Sequence, residues 1–474
     1  MRLSTAAVST LCLVLATTTR TSFAWVAGSS GISSTRRAST DTSSLRQSQS
    51  QPQSATIMTT TNRQQGRYFR QTAILAATVE DTMDTGTDTD TAITSKTSLP
   101  PAFQAALDMS QLQLEAAIPK TYHTTMLPLL QHFLAEYLTA AATAAAAGSS
   151  SSSSSSDNDA DDVNAPAATA ARILQCIQFG LQFGTGPTKM EFAAAHTALR
   201  AGDVAAAPQT DFYQFGNDFF RPCMDLPHSV VAGQDNLQLV MDQLAAGENV
   251  VFLANHQSEA DPQVVSCLLE SLERPQATDM AASVIYVAGH KVTTDALAIP
   301  FSMGRNLICI HSKKHIDADP TTKSTKQRQN LQAMSSMLGK LKAGGCLLWV
   351  APSGGRDRRD TTSGKVPCAP FDSKTIDMFR LMGSKSKVKT HYYTLAMVSY
   401  NLCPPPDSVE AGTGESRNVR FVPVGIAVGN EVESIGGLEH RHAFCEHAYA
   451  QCVQDYERLE ETIAANVLRL KECE

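Results

Sequence analysis

The 474-residue chain predicts an α/β protein: a larger C-terminal α/β domain with a mixed, largely parallel sheet flanked by helices, preceded by a smaller all-helical domain. Two observations carry this prediction. From about residue 236 onward, short runs rich in Val, Ile, Leu and Tyr alternate with longer segments of helical spacing, the pattern of βα units. Before that point apolar residues recur only at helical spacing. With 42% apolar residues, a chain of this length can hold two or three domains and a sizeable core.

Taken in order, residues 1–24 read as a signal peptide: Arg2, then an apolar run from Ala6 to Ala16 too short to span a bilayer, then Thr21-Ser22-Phe23-Ala24 as a cleavage region. Residues 25–74 are rich in Ser, Thr, Gln and Arg, with Asp41 the only acid, a composition like that of a transit peptide. Residues 75–98 form an acidic, Thr-rich stretch expected to be a disordered linker. A helical domain is expected over 99–225. It holds two or three helices between Phe103 and Ala144, a low-complexity insert at 144–166 containing the serine run 149–156, further helices over 168–183 and 188–200, and an aromatic segment around Phe212 to Phe220.

The α/β domain is expected over 226–474. Its strand candidates are 250–254, 283–288, 306–311, 346–351, 392–399 and 421–428, and its helix candidates 262–273, 324–343, 373–382 and 443–469. The final helix, with Phe444, Tyr449, Val453, Tyr456, Leu459 and Ile463 at helical spacing, is expected to pack back on the sheet.

Charge and cysteine usage exclude several function classes. Residues 1–74 hold eight Arg, no Lys and one Asp, a net of +7, so the remainder carries −7 minus +7, or −14. An acidic body of this kind is not a general nucleic-acid binder, and a basic patch on it reads as a specific site. Eleven widely spaced cysteines, an odd number without a C-x-x-C, read as free thiols in a reducing compartment. Zinc is not expected, because clustered His and Cys ligands are missing. No later run reaches the roughly 18 apolar residues of a membrane helix.

The chemistry concentrates at strand ends. Val250 to Ala254 is an apolar strand candidate that leads into Asn255-His256-Gln257-Ser258-Glu259-Ala260-Asp261-Pro262. His256 thus stands at the mouth of a strand-to-helix turn, where open α/β sheets place ligands. Asp261 reads as a helix N-cap ahead of Pro262, and also as the carboxylate that fixes the histidine tautomer and supports an imidazolium, as a general base requires. The strand at 306–311 leads into Ser312-Lys313-Lys314-His315, a cationic cluster. The strand at 346–351 leads into Pro352-Ser353-Gly354-Gly355-Arg356-Asp357-Arg358. There two glycines let the backbone approach a ligand, and Arg356 and Arg358, two apart in an extended loop, point to the same side and can grip one phosphate.

The order of these motifs, with Phe301-Ser302-Met303-Gly304-Arg305-Asn306 before the basic cluster and Val422-Pro423-Val424-Gly425 near the end, resembles the glycerolipid acyltransferase family with its H-x4-D motif. Within that family it is similar to the soluble plastid glycerol-3-phosphate acyltransferases over about residues 235–430. The resemblance implies transfer of a fatty acyl group from acyl carrier protein, or from coenzyme A, to the sn-1 hydroxyl of glycerol 3-phosphate, giving lysophosphatidate without any cofactor. It also implies His256 and Asp261 as the catalytic pair, and Lys314, His315, Arg356 and Arg358 as phosphate ligands. Ser258 is a bystander in this scheme. A plastid stroma is the implied location, and the two-part N-terminus is similar to presequences that import proteins into complex plastids. The rival readings are acylation of lysophosphatidate, a Ser258-based hydrolase, for which no G-x-S-x-G elbow is present, and a non-catalytic acyl-carrier or acyl-lipid binding protein. His290-Lys291 departs from the plant pattern and reads either as an extension of a basic groove or as a solvated loop.

Overall fold

The computed structural model describes residues 98–148, 164–185, 188–202, 210–312, 316–406, 416–433 and 440–471. The signal-peptide, transit-like and linker readings, apart from residue 98, the serine run and Lys313 to His315 all fall outside these residues.

An eight-stranded sheet organises the fold, in the order β1-β5-β4-β6-β3-β7-β8-β2. Its strands are β1 (Ala195–His196), β2 (Val230–Ala232), β3 (Asn249–Ala254), β4 (Ile285–Gly289), β5 (Asn306–Ile310), β6 (Leu347–Val350), β7 (Thr390–Val398) and β8 (Gly425–Glu431). The central five, β5-β4-β6-β3-β7, are mutually parallel; β8 runs antiparallel to β7, β2 runs parallel to β8, and β1 is antiparallel to β5. The sheet is therefore mixed and largely parallel, as the alternating pattern predicts. β3 is buried at all six positions, which is why its sequence is a continuous apolar run rather than an alternation.

Helices cover both faces. On one side lie α1 (Pro101–Ala117), α2 (Leu127–Gly148), α3 (Pro166–Gly184), α4 (Phe212–Phe220), α5 (Gln234–Ala245), α6 (Asp261–Glu270), α7 (Pro275–Ser283) and α8 (Ile299–Met303). They share a core with alternate strand residues such as Val250, Phe252, Tyr286, Trp349 and Tyr393. On the other side, α9 (Lys323–Ala343), α10 (Ser373–Ser386) and α11 (Arg441–Lys471) pack on the opposite residues, including Val251, Leu253, Ile308, Leu348 and Tyr392. The last helix does pack on the sheet, burying Phe444, Tyr456 and Leu459. Local signals explain several boundaries: Asp211 and Asp372 cap α4 and α10 by accepting the backbone N–H groups of Gln214 and Thr375.

Two sequence expectations fail for identifiable reasons. The segment 188–200, patterned as a helix, is mostly extended; Ala195 and His196 pair with Ile308 and Leu307 along the open edge of β5, and Leu199 donates to the Met303 carbonyl. An unpaired strand edge supplies hydrogen bonds that outweigh the modest helix preference of an Ala-rich stretch. The strand expected from residue 421 begins instead at Gly425, because Pro423 has no N–H to give; Val422 makes only an isolated bridge to Met224.

Candidate active site

All five central parallel strands end at the same edge of the sheet, and every chemistry-bearing motif leaves from that edge. β3 delivers Asn255 and His256, β6 delivers the Gly354 to Arg358 loop, β7 delivers Ser399 and Tyr400, and β4 delivers His290. β5 delivers His311 and Ser312, the last described residues before Lys314 and His315.

His256 and Asp261 are brought together. His256 Nδ1 lies 2.8 Å from Asp261 Oδ2; the imidazole is about a quarter exposed, the carboxylate fully buried. Since an ionised carboxylate only accepts, this contact places the proton on Nδ1 and leaves Nε2 with a lone pair. The ring lies 5.6 Å from the Trp349 ring, centroid to centroid, with the two planes 84° apart.

The capping role expected of Asp261 is not found. α6 begins at Asp261 itself, and Ala260 in the N-cap position makes no side-chain cap bond. Both carboxylate oxygens turn back toward the loop: Oδ2 also accepts the Gln257 N–H at 2.9 Å, and Oδ1 accepts the Ser258 N–H and Oγ at 3.1 Å each and Ser399 Oγ at 2.6 Å. Five donors from four residues thus converge on one buried carboxylate. Ser258 is consumed in holding Asp261, as fits a bystander to the chemistry.

The loop is pegged on both flanks by residues that sequence reasoning passed over. Toward β7, the Asn255 side chain exchanges hydrogen bonds with the Met397 main chain at 2.8 and 3.0 Å, and Gln257 Oε1 accepts the N–H groups of Ser399 and Tyr400 at 2.8 and 3.0 Å. These amides take over where backbone pairing of β3 with β7 ends. Toward β4, Glu259 takes a two-pronged contact from the buried Arg417 (Nε–Oε1 2.6 Å, Nη2–Oε2 3.2 Å), and Arg417 also reaches Asp295 at 3.0 Å. Their uninterrupted polar stretch, Asn255-His256-Gln257-Ser258-Glu259, was the one visible signal. Arg417 and Ser399, more than 130 positions away, had none.

On the third flank stands the arginine loop. The Asp357 N–H donates to the His256 carbonyl oxygen at 2.5 Å, so the main chains of the two motifs touch directly. Asp357 is buried, while Arg356 on one side is half-buried and Arg358 on the other is exposed, the alternation expected of an extended loop. Arg358 Nη1 donates to the Pro406 carbonyl at 3.1 Å. Gly354 has a φ of +72°, and a Cβ added at Gly354 or Gly355 would meet nothing within 4 Å, so the space above the loop is open.

Other motif residues prove structural. Gly304 lets α8 close on α4: a Cβ there would come within 2.2 Å of the Phe212 carbonyl oxygen. Arg305 is buried, donating to Asn217 Oδ1 at 2.5 Å and lying over the Tyr213 ring. His290 stacks on His311, with centroids 4.2 Å apart and planes 11° from parallel. Burial, aided by the facing His311, holds the His290 pKa below its ordinary value. Among the described residues, no group of three His, Cys, Asp or Glu is placed to hold a metal ion, and no helix is long and apolar enough to cross a membrane.

Residues 229–398 match the family model described as Acyltransferase, and this stretch carries the histidine–aspartate pair of the H-x4-D motif and the arginine loop. This part of the chain is similar to the acyltransferase family. Its relatives include the chloroplastic glycerol-3-phosphate acyltransferases of Arabidopsis thaliana (36% identical over 260 residues, covering 53% of this chain and 56% of that protein), Spinacia oleracea (40% over 241 residues, 51% and 49%) and Pisum sativum (37% over 251 residues, 52% and 53%). The chain spans about half the length of the curated relatives it matches.

Proposed function

We propose that this protein is a glycerol-3-phosphate 1-O-acyltransferase. The single observation that carries the reading is the direct contact between the two motifs, Asp357 N–H to His256 carbonyl. It sets a base with a fixed tautomer beside a pair of arginines. Arg356 and Arg358, with Lys314 and His315, hold the phosphate of glycerol 3-phosphate, and planar guanidinium groups suit that task. Binding at the phosphate carries the sn-1 hydroxyl to His256 Nε2, and most of the rate gain from positioning comes at this step.

His256 removes the hydroxyl proton as the oxygen attacks the thioester carbonyl carbon. Asp261 holds the ring and stabilises the imidazolium that forms. The tetrahedral intermediate collapses with loss of the thiolate, which takes the proton from His256, so lysophosphatidate and free thiol leave and His256 is regenerated. Each proton is accounted for by one histidine, and no acyl-enzyme is needed. The acyl donor is a thioester of acyl carrier protein or of coenzyme A. Product formation gives the protein a peripheral contact with membrane lipid.

The arginine-rich, acid-poor residues 25–74 and the chloroplastic relatives support a plastid location, and the signal-peptide-like residues 1–24 support a two-part presequence for a complex plastid. A fluorescent reporter fused to residues 1–98 tests this: retention outside the plastid overturns it. The activity is tested with the purified full chain, acyl carrier protein and coenzyme A thioesters, and two acceptors. Acylation of glycerol 3-phosphate supports the proposal. Acylation of lysophosphatidate alone favours the rival acceptor, and thioester binding without transfer favours a non-catalytic binding protein.

A further inference from the structure

We infer that Asp357 is a positioning residue that couples occupancy of the arginine loop to the placement of His256. The inference rests on the proposed acyl transfer and adds to it how the two halves of the site stay in register.

Asp357 is the only residue of the Arg356-Asp357-Arg358 run that points inward, and it is fully buried. It makes three contacts, each to a different segment: its N–H holds the His256 carbonyl at 2.5 Å, its Oδ2 accepts Asn255 Nδ2 at 3.1 Å, and its Oδ1 accepts the Ala369 N–H at 2.9 Å. Asn255 is in turn fixed to Met397 on β7. One residue therefore ties together the β3 exit, the β6 exit and the chain entering α10.

The geometry makes this more than packing. His256 has its side chain held by Asp261 and its carbonyl held by Asp357, so the ring and its own backbone are each anchored. A shift of the arginine loop by the length of a hydrogen bond must move either the His256 carbonyl or Asn255, because Asp357 is fully buried and bonded to both. Misplacement of a reacting group by about 1 Å can cost roughly 10²-fold in rate. Keeping a carboxylate here is also costly, since burial pushes the Asp357 pKa up to about 6. Both oxygens are engaged, so an Asn or Ser in its place would leave one of the two N–H donors without an acceptor.

The test is a separation of kcat from KM in Asp357→Ala and Asp357→Asn, beside Arg356→Ala. Arg356→Ala should raise the KM for glycerol 3-phosphate with a smaller change in kcat. Asp357→Ala keeps the main-chain bond to the His256 carbonyl but releases Asn255 Nδ2 and the Ala369 N–H, which anchor that bond in place, and should lower kcat at saturating acceptor about tenfold or more and raise KM several-fold, although the Asp357 side chain touches no substrate. Asp357→Asn, which keeps one acceptor oxygen, should recover part of the kcat. An unchanged kcat at saturating acceptor in Asp357→Ala overturns the inference. So does a kcat loss that Asp357→Asn does not relieve while both variants melt at the wild-type temperature. If the wild type acylates lysophosphatidate instead, the acceptor reading fails, and the same split measured with that phosphate-bearing acceptor decides Asp357. If no transfer occurs at all, the His256 imidazole NMR signals decide it. Saturating inorganic phosphate should move them in the wild type and leave them nearly still in Asp357→Ala, and equal movement in both overturns the coupling.

Discussion

Asp261→Asn separates a capping role from a catalytic one more sharply than any other substitution. Were Asp261 an N-cap, Asn would replace it at almost no cost in stability, because the two cap helices about equally well. The structure predicts otherwise. The carboxylate, itself without exposure, accepts from His256 Nδ1, the Gln257 and Ser258 N–H groups and the hydroxyls of Ser258 and Ser399. An Asn side chain has one accepting oxygen. If it keeps the Oδ1 partners, its NH2 group faces the Gln257 N–H and His256 Nδ1 in place of Oδ2. One buried N–H then loses its acceptor, at about 1–3 kcal/mol. The NH2 group also favours the histidine tautomer with Nε2 protonated, which has no lone pair for the acceptor hydroxyl. Turnover should fall by about 10²-fold or more, the lower range of what general base catalysis contributes. The melting temperature should fall by a few degrees, since a folded unit of this size loses about 1–2 °C per kcal/mol. Steady-state acylation rates and a calorimetric melt measure both. A variant that melts like the wild type, or turns over within about threefold of it, refutes the hydrogen-bond account.

The other predictions are simpler. His256→Ala should lower kcat by about 10²-fold or more with folding intact, checked by the same assay and by circular dichroism. Arg358→Ala should chiefly raise the KM for glycerol 3-phosphate, and an unchanged KM removes it from the phosphate grip. Arg417→Ala removes the buried cation that the partly exposed Glu259 and Asp295 share and should cost about 2 kcal/mol in urea denaturation, less than a fully buried ion pair because both carboxylates keep some solvent. Asp357 should leave a mark on the pH dependence of stability. Its folded pKa of about 6 lies above the unfolded value of 3.8, so the stability it contributes is present below about pH 3.8 and is lost as pH rises through 6. The difference, about 2 pKa units, amounts to roughly 3 kcal/mol. Urea melts between pH 4 and 7 should show Asp357→Asn lacking that downward slope.

Much of this protein was legible from its sequence because parallel strands buried on both faces leave continuous apolar runs, and each such run here ends in a polar motif. That gave β3 to β7 within a few residues and the sheet class; the spacing of His256 and Asp261 marked them only as a candidate pair, which the order of the later motifs singled out. The arginine pair was legible for a similar reason: an extended loop alternates its side chains, and Asp357 lies buried between the two. Local sequence could not report what lies across the sheet. The edge strand at Ala195–His196 exists because β5 had an open side, which no helical pattern reveals. Asp261 turned away from its helix because five donors waited behind it, one of them on Ser399, 138 positions along the chain. Arg417 and the contact between Asp357 and His256 likewise depend on strand order. The sequence by itself determined which residues can hold a proton or a phosphate; only the tertiary structure decided which of them stand together, since the order β4-β6-β3-β7 sets distant strand ends side by side.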